Sequence, residues 1–184
     1  MLSTFDIELL RFIHHGRIAG LDEALYILSY SASYVSIGIV IVFLVIAVKK
    51  KTWKHRRDFL KMMAALVAAA LISLVLKTLI ARERPFITYP DIEKLSSGGS
   101  ASFPSGHTLE AFAIAMALTL VTRRKSIAVA VFTWAFLVAY SRMALGVHYP
   151  SDVAGGIFIG LFTGWFFCRL LNNKRTGRQE IKKD

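Results

Sequence analysis

The feature that most constrains this chain is an uncharged stretch of 25 residues, Ala24–Val48. A helix needs about 20 predominantly apolar residues to cross the hydrocarbon core of a bilayer, so this stretch is long enough to span a membrane. Charged residues make up 19% of the 184-residue chain, below the roughly 25% of an ordinary soluble domain. With a mean hydropathy of +0.52, the sequence predicts an integral membrane protein.

Four further uncharged stretches follow, at 62–76, 111–122, 126–141 and 153–168. The first reaches spanning length by extending past Lys77, and the other three reach it only by including polar residues at one end. We therefore expect an all-α membrane bundle with five transmembrane helices. Apolar residues 5, 9, 12 and 13 fit one face of an additional N-terminal amphipathic helix within residues 1–20, lying at the interface or packed on the bundle. His14 and His15 at its end are expected to be solvated, a metal pair being the alternative.

The formal net charge of +11 is explained by topology rather than by nucleic-acid binding. With five spans, the loop 49–61, the turn 123–125 and the tail from Arg169 fall on one side, and they hold 16 of the 23 basic residues. Because basic residues accumulate in cytoplasmic loops, this side is predicted to be cytoplasmic. We expect a multi-pass protein of the cell membrane with an extracytoplasmic N-terminus and a cytoplasmic C-terminus.

Three cations lie near the opposite, outer ends of the predicted helices: Lys77, Arg84 and Arg142. Each one alone would be an interfacial anchor, because long basic side chains extend from a helix end to the membrane surface. Together they would repel one another unless an anion lay among them, and guanidinium groups bind phosphate in a bidentate manner. The sequence therefore predicts a phosphate site on the outer side.

The segment Pro104-Ser105-Gly106-His107 precedes the third predicted span. A glycine at a helix N-terminus lets backbone N–H groups approach an anion, and the helix dipole favours negative charge there. Ser105 is expected either to cap the helix or to donate to a phosphate oxygen. Glu110 in the first turn is expected to be helix-terminal, paired with a nearby cation.

His148 and Asp152 are separated by one helical turn, with Pro150 between them. A carboxylate in this position can fix the tautomer of an imidazole and leave its other nitrogen free to attack. A hydrogen-bonded loop staple is the structural alternative. A metal site built from His107, His148 and Asp152 is the competing chemistry, which the surrounding cations disfavour by repulsion.

These three patterns, Lys77-x6-Arg84-Pro85, Pro104-Ser105-Gly106-His107 and Ser141-Arg142-x5-His148-x3-Asp152, resemble the signature motifs of the type 2 phosphatidic acid phosphatase superfamily. Size and span layout are similar to the small bacterial phosphatidylglycerophosphatase B-like and undecaprenyl-diphosphate phosphatase enzymes. The resemblance implies a six-helix family bundle with His148 as the nucleophile, Asp152 as its orienting carboxylate and His107 as the general acid. It also implies a set of phosphate-binding residues, namely Lys77, Arg84, Ser105, Gly106 and Arg142, and no metal or other cofactor.

The expected function is metal-independent hydrolysis of a phosphomonoester or pyrophosphate on a lipid at the outer face, through a phosphohistidine. Phosphatidylglycerophosphate, undecaprenyl pyrophosphate and phosphatidate remain open as substrates. A lipid phosphotransferase of the same fold and a non-enzymatic anion-binding or transport protein are the alternatives. We expect one domain over residues 1–184, with an extracytoplasmic loop at 86–103 and a basic cytoplasmic tail at 172–184.

Overall fold

The computed structural model of the chain describes residues 2–99 and 101–173. All the regular secondary structure within these residues is helical, as the sequence predicts. The helices are α1 (Leu2–His15), α2 (Asp22–Lys50), α3 (Trp53–Ile80), α4 (Pro85–Thr88), α5 (Gly106–Thr122), α6 (Lys125–Ala144) and α7 (Pro150–Asn173), with a 3₁₀ turn at Ala19–Leu21 before α2.

The helices α2, α3, α6 and α7 are long and apolar enough to cross a membrane. Only 22% of the most apolar window of α2 is buried inside the protein, as expected for a helix whose outer surface contacts lipid. The fifth span, α5, has 17 residues and is surrounded by the other spans, so that eight of its residues are buried. The predicted all-α membrane bundle with an additional N-terminal helix is confirmed, with four helices of spanning length and α5 as a shorter apolar helix in place of the remaining predicted span.

Three spans end sharply because a residue at the C-terminus adopts the left-handed backbone conformation. These residues are Lys51 after α2, Ala81 after α3 and Arg123 after α5, each with an N–H bonded to the carbonyl four residues earlier. The chain therefore reverses direction after each span. The C-terminal ends of α3 and α6 and the N-terminal ends of α5 and α7 meet at one end of the bundle, which we call the site end.

Helix α7 lies against α5 along a row of glycines with a spacing of four residues. A Cβ atom built on Gly156, Gly160 or Gly164 would lie 2.4 to 2.9 Å from a backbone carbonyl oxygen of the segment 105–113. Only glycine permits this approach, because a side chain on this face would force the helices apart. The contact fixes the start of α7 beside the start of α5.

Helix α1 lies across the site end and ends at His15, five residues earlier than the predicted limit of residue 20. The predicted apolar face does not point into the protein: Phe5 and Phe12 are 68% and 77% exposed. The buried residues are instead Asp6, Ile7, Leu10 and His14. Because a membrane-surface helix exposes apolar residues to lipid, the hydrophobic pattern alone does not identify its packed face.

His14 is buried, contrary to the expectation of a solvated side chain. Its Nδ1 lies 2.8 Å from the carbonyl oxygen of Ala144, and its Nε2 accepts the backbone N–H of Glu93 at 3.1 Å. Burial lowers the pKa of this imidazole. The residue therefore joins α1 to the end of α6 and to the loop before α5.

The connection between α3 and α5 is largely a loop, but the short helix α4 (Pro85–Thr88) includes the first three residues of the predicted loop 86–103. The loop is held to the bundle where Leu95 N–H donates to the carbonyl of Leu145 at 3.2 Å and Ser102 N–H to that of Arg82 at 2.7 Å. Of the predicted tail at 172–184, only residues 172 and 173 are described, and they belong to the end of α7. The rest of the tail lies outside the described residues.

Candidate active site

A cavity of about 530 Å³ opens at the site end between α2, α3, α5 and the loop before α5. Six of the eight predicted site residues line it: Lys77, Arg84, Gly106, His107, Arg142 and His148. They come from α3, from the loop after it, from the start of α5, from the end of α6 and from the loop before α7. Predicted site residues up to 71 positions apart in the sequence therefore converge on one cavity.

The three cations are held by neutral oxygen acceptors. Lys77 Nζ donates to the carbonyl of Ala101 at 2.6 Å, and Arg84 Nη1 donates to that of Val147 at 2.8 Å. Arg142 donates to the hydroxyl of Ser29, and its buried Nε has no hydrogen-bond partner among the described residues. The positive charge of the cavity favours an anionic ligand.

The pair of His148 and Asp152 forms as expected, with the loop and the first turn of α7 placing the side chains side by side. His148 Nδ1 lies 3.6 Å from Asp152 Oδ2, and His148 Nε2 lies 3.4 Å from Arg84 Nη1. The imidazole therefore has one nitrogen towards a carboxylate and the other beside a cation that lines the cavity. A carboxylate on one side of an imidazole favours the tautomer with its proton on that side.

Burial lowers the pKa of His148 to about 3, and the nearby charges of Arg142 and Arg84 act in the same direction. The side chain is only 2% exposed, so desolvation of the imidazolium is the main cause. The Asp152 carboxylate opposes the shift without cancelling it. At neutral pH the imidazole is therefore uncharged, with one of its two ring nitrogens unprotonated.

Gly106, the first residue of α5, lines the cavity and lies close to α3. A Cβ on Gly106 would lie 3.2 Å from Ser73 Oγ and 3.9 Å from Lys77 Cε, so a larger residue would press on the lysine side of the cavity. Ser105 occupies the N-cap position but is fully buried behind the lining, and its hydroxyl lies 2.8 Å from Thr108 Oγ1. Its hydroxyl therefore bonds a neighbouring side chain of α5 rather than the backbone N–H groups of the helix start.

Below this polar region the cavity continues between α2 and α3 along Ile37, Leu66, Ala69 and Ala70. Leu66 precedes Lys77 by eleven residues on α3, which corresponds to about 16 Å of helix at 1.5 Å per residue. The cavity therefore combines a cationic mouth with an apolar wall at its other end. Glu110 lies on this wall and accepts a hydrogen bond from Ser33 at 2.9 Å, so its partner is a hydroxyl rather than the expected cation.

The sequence analysis assigned no role to two residues that hold Asp152. Arg82 Nη1 donates to Asp152 Oδ1 at 2.6 Å, and Ser102 Oγ donates to Asp152 Oδ2 at 2.5 Å. Asp152 is fully buried, and its partners come from the loop between α3 and α5. The sequence does show a second arginine, Arg82, two positions before Arg84. Its partner Asp152 could not be identified from the sequence, because the tertiary fold brings the two residues together.

The competing metal site is not assembled in the described part of the chain. Among the residues 2–99 and 101–173, no three His, Cys, Asp or Glu side chains are grouped to hold a metal ion. His107 lies on the cavity wall near Tyr30, with ring centroids 5.8 Å apart, whereas Asp152 lies behind His148 and does not line the cavity.

Sequence comparison finds relatives whose names describe them as lipid phosphatases. The chain is 28% identical to a lipid A 4'-phosphatase of Bacteroides thetaiotaomicron, over 96% of this chain and 81% of the relative. It is 32% identical to an undecaprenyl-diphosphatase of Sulfolobus acidocaldarius, over 85% of this chain and 73% of the relative. The names of these two relatives differ in the lipid they specify.

Solved structures share the fold. The structure of LpxE from Aquifex aeolicus superposes with a TM-score of 0.77 at 28% identity, covering 90% of this chain and 95% of that one. A transmembrane PAP2-type phosphatidylglycerolphosphate phosphatase from Bacillus subtilis superposes with a TM-score of 0.79 at 26% identity, covering 95% and 87%. Residues 58–176, which include all three motifs around the cavity, match the sequence model of the PAP2 superfamily. Together with the membrane-spanning helices and the lipid phosphatases among its relatives, this match shows that the chain belongs to the PAP2 superfamily, in its group of membrane lipid phosphatases.

Proposed function

We propose that this protein hydrolyses a phosphomonoester or pyrophosphate on a membrane lipid through a phosphohistidine at His148, without a metal ion. The observation that carries the proposal is the position of His148, between the Asp152 carboxylate and the guanidinium of Arg84 at the cationic mouth of an apolar cavity. A lipid phosphate has matching chemistry, because it joins an anionic group to a long apolar tail.

In the proposed reaction, Lys77, Arg84 and Arg142 bind the phosphate oxygens, together with the backbone at Gly106. His148 Nε2 attacks phosphorus, and the bond from phosphorus to the lipid oxygen breaks. His107 donates a proton to the leaving oxygen, and Asp152 stabilises the charge that develops on the imidazole. Water, deprotonated by His107, then attacks the phosphohistidine, releasing inorganic phosphate and restoring both histidines.

The cations take over the electrostatic task that a metal performs in other phosphatases, because they neutralise charge on the transferring phosphoryl group. The Ser105 hydroxyl could bind phosphate only after breaking its hydrogen bond with Thr108. We therefore propose that Ser105 stabilises the start of α5 and does not bind phosphate. The apolar wall along α3 accommodates the first part of the lipid tail. The lining of α3 from Lys77 to Leu66, about 16 Å long, corresponds to roughly half of a 30 Å hydrocarbon core.

We further propose that the site end faces the outside of the cell and that residues 1–184 act as one domain. The opposite end carries the basic segment 49–61, which the structure places largely in the end of α2 and the start of α3 and not in the predicted loop, and the turn between α5 and α6. Basic residues favour the cytoplasmic side. The N-terminus would then be extracytoplasmic and the C-terminus cytoplasmic. The cavity would lie at the depth of the outer headgroups, where a lipid phosphate is located.

The test is release of phosphate by purified protein in detergent with EDTA present. Undecaprenyl pyrophosphate, phosphatidylglycerophosphate and phosphatidate are compared as substrates, and His148→Asn is compared with His15→Asn. The exposed His15 contacts the carbonyl of Asp91 at 3.1 Å and does not line the cavity, so it is a matched control on another histidine.

Turnover in EDTA that is retained in His15→Asn and lost in His148→Asn is the expected result. The ratio of the three rates then identifies the preferred lipid. Turnover that requires a divalent cation would contradict metal independence. Loss of phosphate from the substrate only when an acceptor lipid is present, with the phosphate recovered on the acceptor and not as inorganic phosphate, would instead identify a phosphotransferase that uses the same residues.

A further inference from the structure

The guanidinium of Arg82 joins the N-terminal helix to the carboxylate beside His148. Its Nη1 donates to Asp152 Oδ1 at 2.6 Å and to Ser151 Oγ at 2.7 Å, and its Nη2 donates to Asp6 Oδ2 at 2.7 Å. The side chain also lies over the ring of Tyr149, with Cζ 3.9 Å from the centroid. Arg82 does not line the cavity, so it contacts Asp152 from behind.

The two oxygens of Asp152 have separate partners. Oδ1 accepts from Arg82, whereas Oδ2 accepts from Ser102 Oγ at 2.5 Å and from the N–H of Tyr149 at 2.9 Å and faces His148 Nδ1 at 3.6 Å. Rotation of the carboxylate would exchange these roles. The fork of Arg82 opposes this rotation, because it fixes Oδ1 while also holding Asp6.

Asp6 fixes the other side of the bridge and the start of α7. Its Oδ1 accepts the N–H of Ser151 at 2.8 Å, and its Oδ2 accepts the hydroxyl of the same residue at 2.5 Å. The N–H groups in the first turn of a helix have no partner within the helix, so Asp6 caps α7 from another segment. Asp6 is 5% exposed, and it therefore holds both Arg82 and the helix that carries Asp152.

We propose that Arg82 is a positioning residue for the pair of Asp152 and His148, and that Asp6 on α1 completes the bridge. The N-terminal helix thereby supports the rate of the chemical step without touching substrate. This inference rests on the proposed hydrolysis. It extends the site from the cavity to a helix that lies across the end of the bundle.

The test uses Arg82→Lys, Arg82→Gln and Asp6→Asn. A lysine keeps the charge but loses the planar fork, so it cannot hold two carboxylates in a fixed geometry. We expect kcat to fall about 10-fold in Arg82→Lys and about 100-fold in Arg82→Gln, by analogy with the 10- to 100-fold losses seen when the residues that orient metal ligands are removed. The value for Asp6→Asn should resemble that for Arg82→Lys. KM and the inhibition constant of inorganic phosphate should stay within about twofold, because the cavity cations are unchanged.

Arg11→Gln is the matched control. Arg11 also joins α1 to the loop before α5, through Asp91 at 2.7 Å, but it has no contact with Asp152. Its kcat should remain at the wild-type value. Thermal unfolding of each variant in detergent identifies any that does not fold, and the conservative Arg82→Lys and Asp6→Asn keep the test decisive if Arg82→Gln is unstable.

Wild-type kcat in folded Arg82→Lys and Arg82→Gln would overturn the inference while leaving the proposed hydrolysis intact. An equal loss in Arg11→Gln would also overturn it, since docking of α1 in general would then be the cause. A parallel rise in KM and in the phosphate inhibition constant would show a disturbed cavity instead of a mispositioned carboxylate. Absence of hydrolysis in the wild type would refute the proposed function itself.

Discussion

The contact between α5 and α7 should be sensitive to a single methyl group at Gly160. A Cβ on this residue would lie 2.5 Å from the carbonyl oxygen of Leu109 and 3.0 Å from Phe112 Cβ. Ordinary contacts begin at 3.4 Å, so Gly160→Ala requires a displacement of about 0.9 Å between the two helices. Neither neighbouring atom can move by a change of rotamer, because one is backbone and the other is a Cβ.

The change in the free energy of unfolding caused by Gly160→Ala is the sum of two opposing contributions. Overpacking of a close contact costs about 1–3 kcal/mol, whereas alanine is favoured over glycine inside a helix by about 1 kcal/mol. Gly38 on α2 is the matched control, since a Cβ there meets nothing within 4 Å. The propensity term is common to both variants, so the free energy of unfolding of Gly160→Ala should lie about 1–3 kcal/mol below that of Gly38→Ala.

Activity should fall as well, because α7 carries Asp152 and α5 carries His107. A displacement of about 1 Å in a catalytic arrangement can lower the rate about 100-fold. The assays are thermal unfolding in detergent and phosphate release from a lipid phosphate. Equal unfolding temperatures and rates for Gly160→Ala and Gly38→Ala would refute the argument that glycine is required for the close approach.

Other predictions concern the charges and histidines of the site. Vanadate should inhibit competitively, since it mimics pentacoordinate phosphorus. Its inhibition constant should rise in Arg142→Lys, because lysine lacks the Nε donor of arginine. An unchanged inhibition constant would contradict the proposed role of Arg142 in phosphate binding. His107→Ala should lower kcat by about 10²–10⁴-fold, the usual contribution of a general acid, and wild-type turnover would exclude that role. Because burial lowers the pKa of His148 from 6.5 to about 3, its contribution to stability is complete above pH 6.5 and decreases as the pH falls towards 3. The loss at pH 5 is about 2 kcal/mol from this group, so unfolding of His148→Asn should depend less on pH between 7 and 5 than unfolding of the wild type.

The sequence predicted the spans and the cavity cations because both depend on short-range features. An uncharged run such as Ala24–Val48 has few alternatives to spanning a bilayer. Lys77, Arg84 and Arg142 converge because alternating spans bring every second loop to the same end of the bundle. These inferences required parity and charge but no side-chain geometry.

The sequence could not predict which residues support the carboxylate of Asp152. Arg82 and Ser102 reach it across 70 and 50 positions, through a loop whose course is set by packing. Asp6 was missed for a different reason. In water a buried helix face is apolar, but on a membrane surface apolar side chains can face lipid, so Phe5 and Phe12 are exposed while Asp6 is buried.

The most direct test of the central claim is to identify the covalent intermediate. The purified protein is mixed with a lipid phosphate labelled with radioactive phosphorus, quenched in alkali during the first turnover, and digested for mass spectrometry. We expect phosphate on His148 that is stable in alkali and labile in acid, as phosphohistidine is, and no label in His148→Asn. Phosphate on another residue, or continued turnover in His148→Asn, would contradict the account.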